Sequence, residues 1–205
     1  SFRWQVRRIT HSRFRPARLE ERFELALGGA EGAALVGRID RIDLAEAEGR
    51  RWAMVIDYKR SAFALHPADV FYGLRLQLPG YLAAAVRAAA AGGSVWAGAA
   101  AMYVPLQPRP PRSGTEDELD GRFRAAGLAA EDAARFLLDT ADGVGRAYQL
   151  GLNQGGGRSE ARGGAYTRAE FDALLDRAWD LAGLAVREAR EGTIRVHPYR
   201  RAKST

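Results

Sequence analysis

The 205-residue chain contains no cysteine, so neither a disulfide nor a cysteine-held zinc or iron–sulfur centre can form within it. Its three histidines, His11, His66 and His197, lack the spacing of a metal site. No apolar run approaches the length needed to span a bilayer, and 27% of residues are charged. A membrane protein is therefore not expected. The arginine-rich N-terminus has no apolar segment of signal-peptide type. Ser1, where a Met would start a complete chain, is read as the beginning of an excised piece of a longer one. No glycine-rich phosphate loop stands between a strand and a helix, which excludes a nucleotide-hydrolysing motor of the P-loop kind.

Lysine is the other scarcity. Of 31 basic residues only Lys59 and Lys203 are lysines, and the rest are arginines. On a solvated surface the two serve similarly. Where a compact ammonium on a flexible stem is required, the planar guanidinium fork is no substitute. Lys59 therefore stands out: it lies two residues after Asp57, at the end of the apolar run Trp52–Ile56.

What is present points to a domain with a real core and a polyanionic partner; a cytoplasmic location is expected, although the absence of cysteine says little about compartment. Apolar residues make up 47% of the chain, and the net charge is +6 with pI near 10.0. The excess lies in the arm before Arg18 and in the tail Arg195, His197, Arg200, Arg201 and Lys203. Such ends suit a phosphate backbone. The same charge on an arginine-rich surface also serves solubility alone.

Alternation at Phe23, Leu25 and Leu27 predicts a first strand, followed by strands over 34–44 and 51–58. Short connections, including Glu46–Gly49, make these an antiparallel meander. Residues 61–71 read as a loop broken by Pro67. A helix is expected over 74–91, either kinked at Pro79 or starting near Leu78, and a buried strand over 95–104. Pro105 to Gly121 is a loop, 129–140 a helix, and the glycine-rich 155–164 a flexible loop. Thr167 and Glu170 form a capping box for a last helix ending at Gly192, with Leu174, Leu175, Leu181 and Leu184 on its apolar face. There is no internal repeat. One domain is expected over 1–205, with its core at about 14–104 and a helical part at about 122–199.

Asp57 and Lys59, two apart on a strand, leave the same face. A carboxylate there suits Mg²⁺, a hard ion that takes oxygen ligands. The ammonium beside it can hold or help deprotonate a water near the metal, or steady charge growing on a phosphate. Asp40 and Asp43 on the second strand are three apart and point to opposite faces, so only one of them can join Asp57. Their plain alternative is pairing with Arg38 or Arg41. Glu20 either completes a carboxylate cluster or is a surface charge beside Glu21 and Arg22. Gln77 and Tyr81, four apart on the predicted helix, share a face that can carry an amide and a phenol towards the site. Tyr81 reads equally well as a core aromatic with its hydroxyl at the rim.

Taken in order, the blocks Phe14–Glu20 (Phe-x-Pro-x-x-x-Glu), Gly37–Asp43 (Gly-Arg-Ile-Asp-Arg-Ile-Asp), Val55–Lys59 (Val-Ile-Asp-Tyr-Lys) and Gly73–Leu82 (Gly-Leu-Arg-Leu-Gln-Leu-Pro-Gly-Tyr-Leu) resemble the PD-(D/E)XK nuclease superfamily. Within it they are most similar to the nuclease domain of bacterial helicase–nucleases of the AddB/RecB type. The resemblance implies a restriction-endonuclease-like α/β fold, a central mixed β-sheet flanked by helices. It implies an exonuclease-type deoxyribonuclease dependent on Mg²⁺ or Mn²⁺, acting on DNA in double-strand-break repair and recombination, with a helicase or partner subunit. By that likeness Glu20, Asp40 and Asp57 are metal ligands, Asp40 being favoured over Asp43 because the family's ligand follows Gly-x-x. Lys59 is the catalytic lysine, and Gln77 with Tyr81 forms a Gln-x-x-x-Tyr motif at the DNA. Domains of this type usually carry an iron–sulfur cluster on four cysteines, which this chain cannot hold. Its end, Gly192–Tyr199, resembles the stretch that leads to the downstream cysteines. Either they lie past this segment or the lineage never had them. The alternative to a nuclease is a non-catalytic DNA-binding or scaffold module of such a complex.

Overall fold

A computed structural model describes residues 6, 10, 12–27, 32–61, 65–107, 123–137, 148–150 and 164–193. Most of the basic N-terminal arm, the proline-rich loop after Gln107, the glycine-rich loop and the basic tail lie outside these residues, as do His11 and His197.

The strands are β1 (Arg15–Ala26), β2 (Ala34–Ala47), β3 (Arg50–Lys59), β4 (Trp96–Pro105), β5 (Ala125–Ala130), β6 (Tyr148–Gln149) and β7 (Ala165–Tyr166). The helices are α1 (Pro67–Phe71), α2 (Gln77–Ala91), α3 (Glu131–Leu137) and α4 (Arg168–Arg190). The strands form one mixed sheet in the order β1-β2-β3-β4-β5-β6, with β7 also pairing with β5. Helices flank it, giving the expected α/β, restriction-endonuclease-like architecture. None of the described helices is long and apolar enough to cross a membrane.

The meander β1–β2–β3 is antiparallel. Its second turn is tighter than the sequence suggests: Ala47 pairs with Arg50 across only Glu48 and Gly49, both at positive φ (53° and 67°). That is the type I′ pattern, whose twist matches the flanking strands. β1 starts eight residues before the visible alternation. Its first half is exposed and so carries no hydrophobic signature.

β3 then runs parallel to β4, which needs a crossover, and α1 and α2 fill it. Every residue from Trp52 to Asp57 is buried, explaining a continuous apolar run instead of an alternating one. Leu78, Leu82, Phe171 and Leu175 supply the helical side of the core. Gly98 of β4 lies so close to Leu175 that an added Cβ would sit 2.9 Å from its Cδ1.

Several elements differ from expectation. Residues 67–71, expected in a loop, form α1, with Pro67 in the first turn where its missing N–H is not needed. α2 begins at Gln77, which puts Pro79 third in the helix, among the N–H groups that have no intrahelical acceptor. No kink is required. Ala125–Ala130, although alanine-rich and partly expected to be helical, is a strand; pairing with β4 overrides propensity. The C-terminal part thus adds three strands to the sheet and is not simply helical. On α4 the capping box is formed, with the Glu170 N–H donating to Thr167 Oγ1 at 3.3 Å and the Thr167 N–H donating to Glu170 Oε2 at 2.9 Å. Leu175 is buried and Leu174 and Leu181 half-buried, but Leu184 is exposed; Phe171, Ala178 and Trp179 complete the face.

Candidate active site

The site forms where β2 separates from β3. The last registered pair of the two strands is Arg41 with Ile56. Beyond it the Asp40 side chain replaces the ladder, and its Oδ2 accepts the Tyr58 backbone N–H at 2.9 Å. Asp40 is thereby fixed at the end of β3 that carries Asp57 and Lys59.

Lys59 Nζ stands 2.7 Å from Asp57 Oδ2 and donates to Gln77 Oε1 at 3.2 Å. Gln77 Nε2 in turn donates to the Tyr81 hydroxyl at 3.3 Å. The i, i+4 spacing at the start of α2 thus builds a relay from helix to strand. Tyr81 is also packed edge-on against Phe23, ring centroids 5.5 Å apart, so it is partly core and partly site.

Asp57 is buried, and burial raises its pKa; Lys59 opposes the shift and the nearby Asp40 adds to it. The two carboxylates therefore feel each other. Asp57 Oδ2 makes its ion pair with Lys59 but has no aligned hydrogen-bond donor. A buried carboxylate oxygen in that condition, beside a second carboxylate, suits a hard divalent cation.

The structure does not bring Glu20 into this group. Its backbone has φ of +53°, and its exposed carboxylate pairs with Arg38 at 3.0 Å. Among the described residues no three His, Asp or Glu side chains stand at metal-binding spacing. Two carboxylates, Asp40 and Asp57, remain together, a number that would suit Mg²⁺, which retains several waters. Asp43 is also elsewhere: it is buried and takes a bidentate pair from Arg41, which also reaches the Tyr58 hydroxyl at 3.4 Å. Of the two second-strand aspartates, only Asp40 joins Asp57. His66 is exposed.

Sequence reasoning missed Tyr103, Arg75 and Asp69. Tyr103 of β4 is in register with Asp57 and carries the Lys59 ammonium 5.5 Å above its ring centre. Burial, then the Asp57 charge, pushes its phenol up to about 12, while Arg75 pulls the other way. Arg75 pairs with the buried Asp69 of α1 at 3.5 Å. Only the register of a parallel pair across a crossover brings Tyr103 to Asp57, and local sequence carries no signal for it.

The buried Asp57, the half-buried Asp40 and a lysine held between an aspartate and a glutamine thus form one cluster at the end of a parallel strand. The PD-(D/E)XK nuclease superfamily model matches residues 1–204, and the chain belongs to that superfamily. It is similar to the B subunit of the ATP-dependent helicase/deoxyribonuclease of Desulforudis audaxviator (strain MP104C), 33% identical over 214 residues, covering 95% of this chain and 18% of that protein. Its counterpart from Listeria monocytogenes serotype 4a (strain HCC23) is 30% identical over 215 residues, with the same shares covered. The counterpart from Moorella thermoacetica is 45% identical over 85 residues, 37% of this chain and 7% of that protein. The chain thus spans less than a fifth of the length of these relatives.

Proposed function

We propose that this chain is a divalent-metal-dependent deoxyribonuclease domain that hydrolyses phosphodiester bonds of DNA. The reading rests on one observation above all: Asp40, Asp57, Lys59 and Gln77 converge where β2 leaves β3. Asp40 and Asp57 would hold Mg²⁺ or Mn²⁺, which when bound supplies Lewis-acid stabilisation of a phosphate and lowers the pKa of water. Lys59 offers a movable ammonium to the charge that grows on the phosphate, or orients the attacking water. Gln77 aims Lys59 by accepting a hydrogen bond from its ammonium, and Tyr81 holds the Gln77 amide. Tyr103, its phenol kept protonated at neutral pH, forms the wall beneath Lys59.

The names of the relatives support DNA as substrate and a helicase–nuclease with a partner subunit as setting. A cytoplasmic role in break repair and recombination is proposed from the family resemblance alone. The chain is read as one nuclease domain over 1–205 and as exonuclease-like in action. Degradation of 5′-labelled and 3′-labelled single-stranded DNA with Mg²⁺, compared among wild type, Asp57→Ala and Lys59→Ala, tests the proposal. Cleavage by wild type that EDTA and either substitution abolish supports it. Equal activity in all three refutes it.

The exclusion of Glu20 from the carboxylate pair favours a second reading, a DNA-binding module without catalysis. It predicts salt-dependent binding that EDTA leaves unchanged, and no cleavage.

A further inference from the structure

We propose that Phe71 and Tyr72, at the end of α1, form a stacking site for an unpaired base of single-stranded DNA beside the candidate active site; this rests on the nuclease reading above. Among the described residues most large apolar side chains are buried, yet Phe71 (53%), Tyr72 (48%) and Leu74 (60%) remain exposed within four consecutive residues. A contiguous exposed cluster of this kind marks a binding surface.

The two rings sit on a rigid support. Leu74 N–H donates to Asp69 O at 2.7 Å and Gly73 N–H to Val70 O at 3.0 Å, the Schellman closure, with Gly73 at φ +76° where a side chain would be strained. The Phe71 and Tyr72 rings meet edge to face, centroids 5.2 Å apart and planes at 88°. From α4, Arg177 donates to the Phe71 carbonyl at 3.2 Å and lays its guanidinium 5.2 Å from the ring centre. A platform already ordered loses little entropy when a base lands on it.

Position and charge select the ligand. Arg75 follows directly, and its charge acts on the Tyr103 phenol next to Asp57. Two residues later Gln77 touches Lys59. Tyr72 and Gln77, five residues apart, are separated by at most about 18 Å of extended chain. Arg177 provides a cation for the phosphates, while Arg75 is engaged by the buried acid of α1, Asp69. Aromatic faces next to a cation beside a phosphodiester-cleaving site match a single strand, whose bases are available for stacking. Duplex bases are not, being stacked on each other. The platform would hold a nucleotide near the scissile one and favour single-stranded over duplex substrate.

The test measures binding of the 205-residue chain in EDTA, at fixed salt, by fluorescence anisotropy. The probes are a labelled oligothymidylate, the same strand with abasic sites, and a blunt duplex; the proteins are wild type, Phe71→Ala, Tyr72→Ala and Tyr72→Trp. Stacking predicts that each alanine variant binds oligothymidylate at least about five-fold more weakly. Binding to the abasic strand and the duplex should not change, and Tyr72→Trp should keep wild-type affinity. Equal losses on abasic and base-bearing strands would signal a backbone contact or a damaged fold and overturn the proposal. Unchanged binding by every variant would also overturn it and leave the patch to a protein partner. The nuclease reading fails separately, through a wild type that binds DNA and does not cut it with Mg²⁺.

Discussion

The Asp40 carboxylate accepts the Tyr58 backbone N–H at 2.9 Å, at the point where β2 and β3 stop pairing. One side chain thus closes the strand fork and stands beside Asp57. The two roles separate by mutation. Asp40→Asn retains an acceptor for Tyr58 and should melt near wild type while losing roughly 100-fold or more in cleavage, an order of magnitude in line with the removal of a charge-stabilising group. Asp40→Ala should lose the same activity and a further ~1–3 kcal/mol of stability, because the Tyr58 N–H is left without its partner. Thermal melts and single-turnover cleavage of both variants check this.

Lys59 sits in a narrow slot between Asp57, Gln77 and the Tyr103 ring. Lys59→Arg keeps the charge but replaces a point donor with a wide fork, so it should fold normally and cleave at least about ten-fold more slowly. Gln77→Leu, which frees the ammonium to wander, should slow cleavage without abolishing it. Initial rates at saturating DNA distinguish the two.

Asp57 gives a pH signature in EDTA. Burial raises its folded-state pKa above the ordinary aspartate value of 3.8 in spite of Lys59. A group with a raised folded pKa contributes most to stability below its unfolded pKa, and the contribution is lost as pH rises through the folded value. At pH 7 the ionised carboxylate therefore weakens the fold. Asp57→Asn should raise the melting temperature at pH 7 in EDTA, and the gain should vanish below about pH 4, where the wild-type group is protonated both folded and unfolded.

Asp43, three residues from Asp40, should behave in the opposite way. It is buried against an equally buried Arg41. Asp43→Ala strands that guanidinium and should cost about 3–5 kcal/mol, read from urea unfolding. Asp43 is thus a structural aspartate and Asp40 a site aspartate, although the motif presents them alike.

Much of this is legible from sequence because it depends on local spacing. Asp57 and Lys59 two apart on a strand, Gln77 and Tyr81 four apart on a helix, and the Thr167–Glu170 capping box all express periodicity. What stays hidden depends on non-local register. Tyr103 meets Asp57 only through a parallel pairing made across a crossover, and Ala125–Ala130 becomes a strand only because β4 offers it an edge. The place of Glu20 is hidden for a similar reason. A strand position with φ of +53°, next to the β1 irregularity between Pro16 and Arg18, turns its carboxylate to Arg38, and no residue type announces that turn.

Everything proposed for the site depends on Asp40 and Asp57 together holding a divalent ion beside Lys59. Calorimetric titration of the chain with Mn²⁺ tests that dependence most directly. One ion should bind per wild-type chain, with binding lost in Asp40→Ala and Asp57→Ala and retained in Glu20→Gln and Lys59→Ala. Wild-type Mn²⁺ affinity in Asp57→Ala, or loss of the ion in Glu20→Gln, would contradict it.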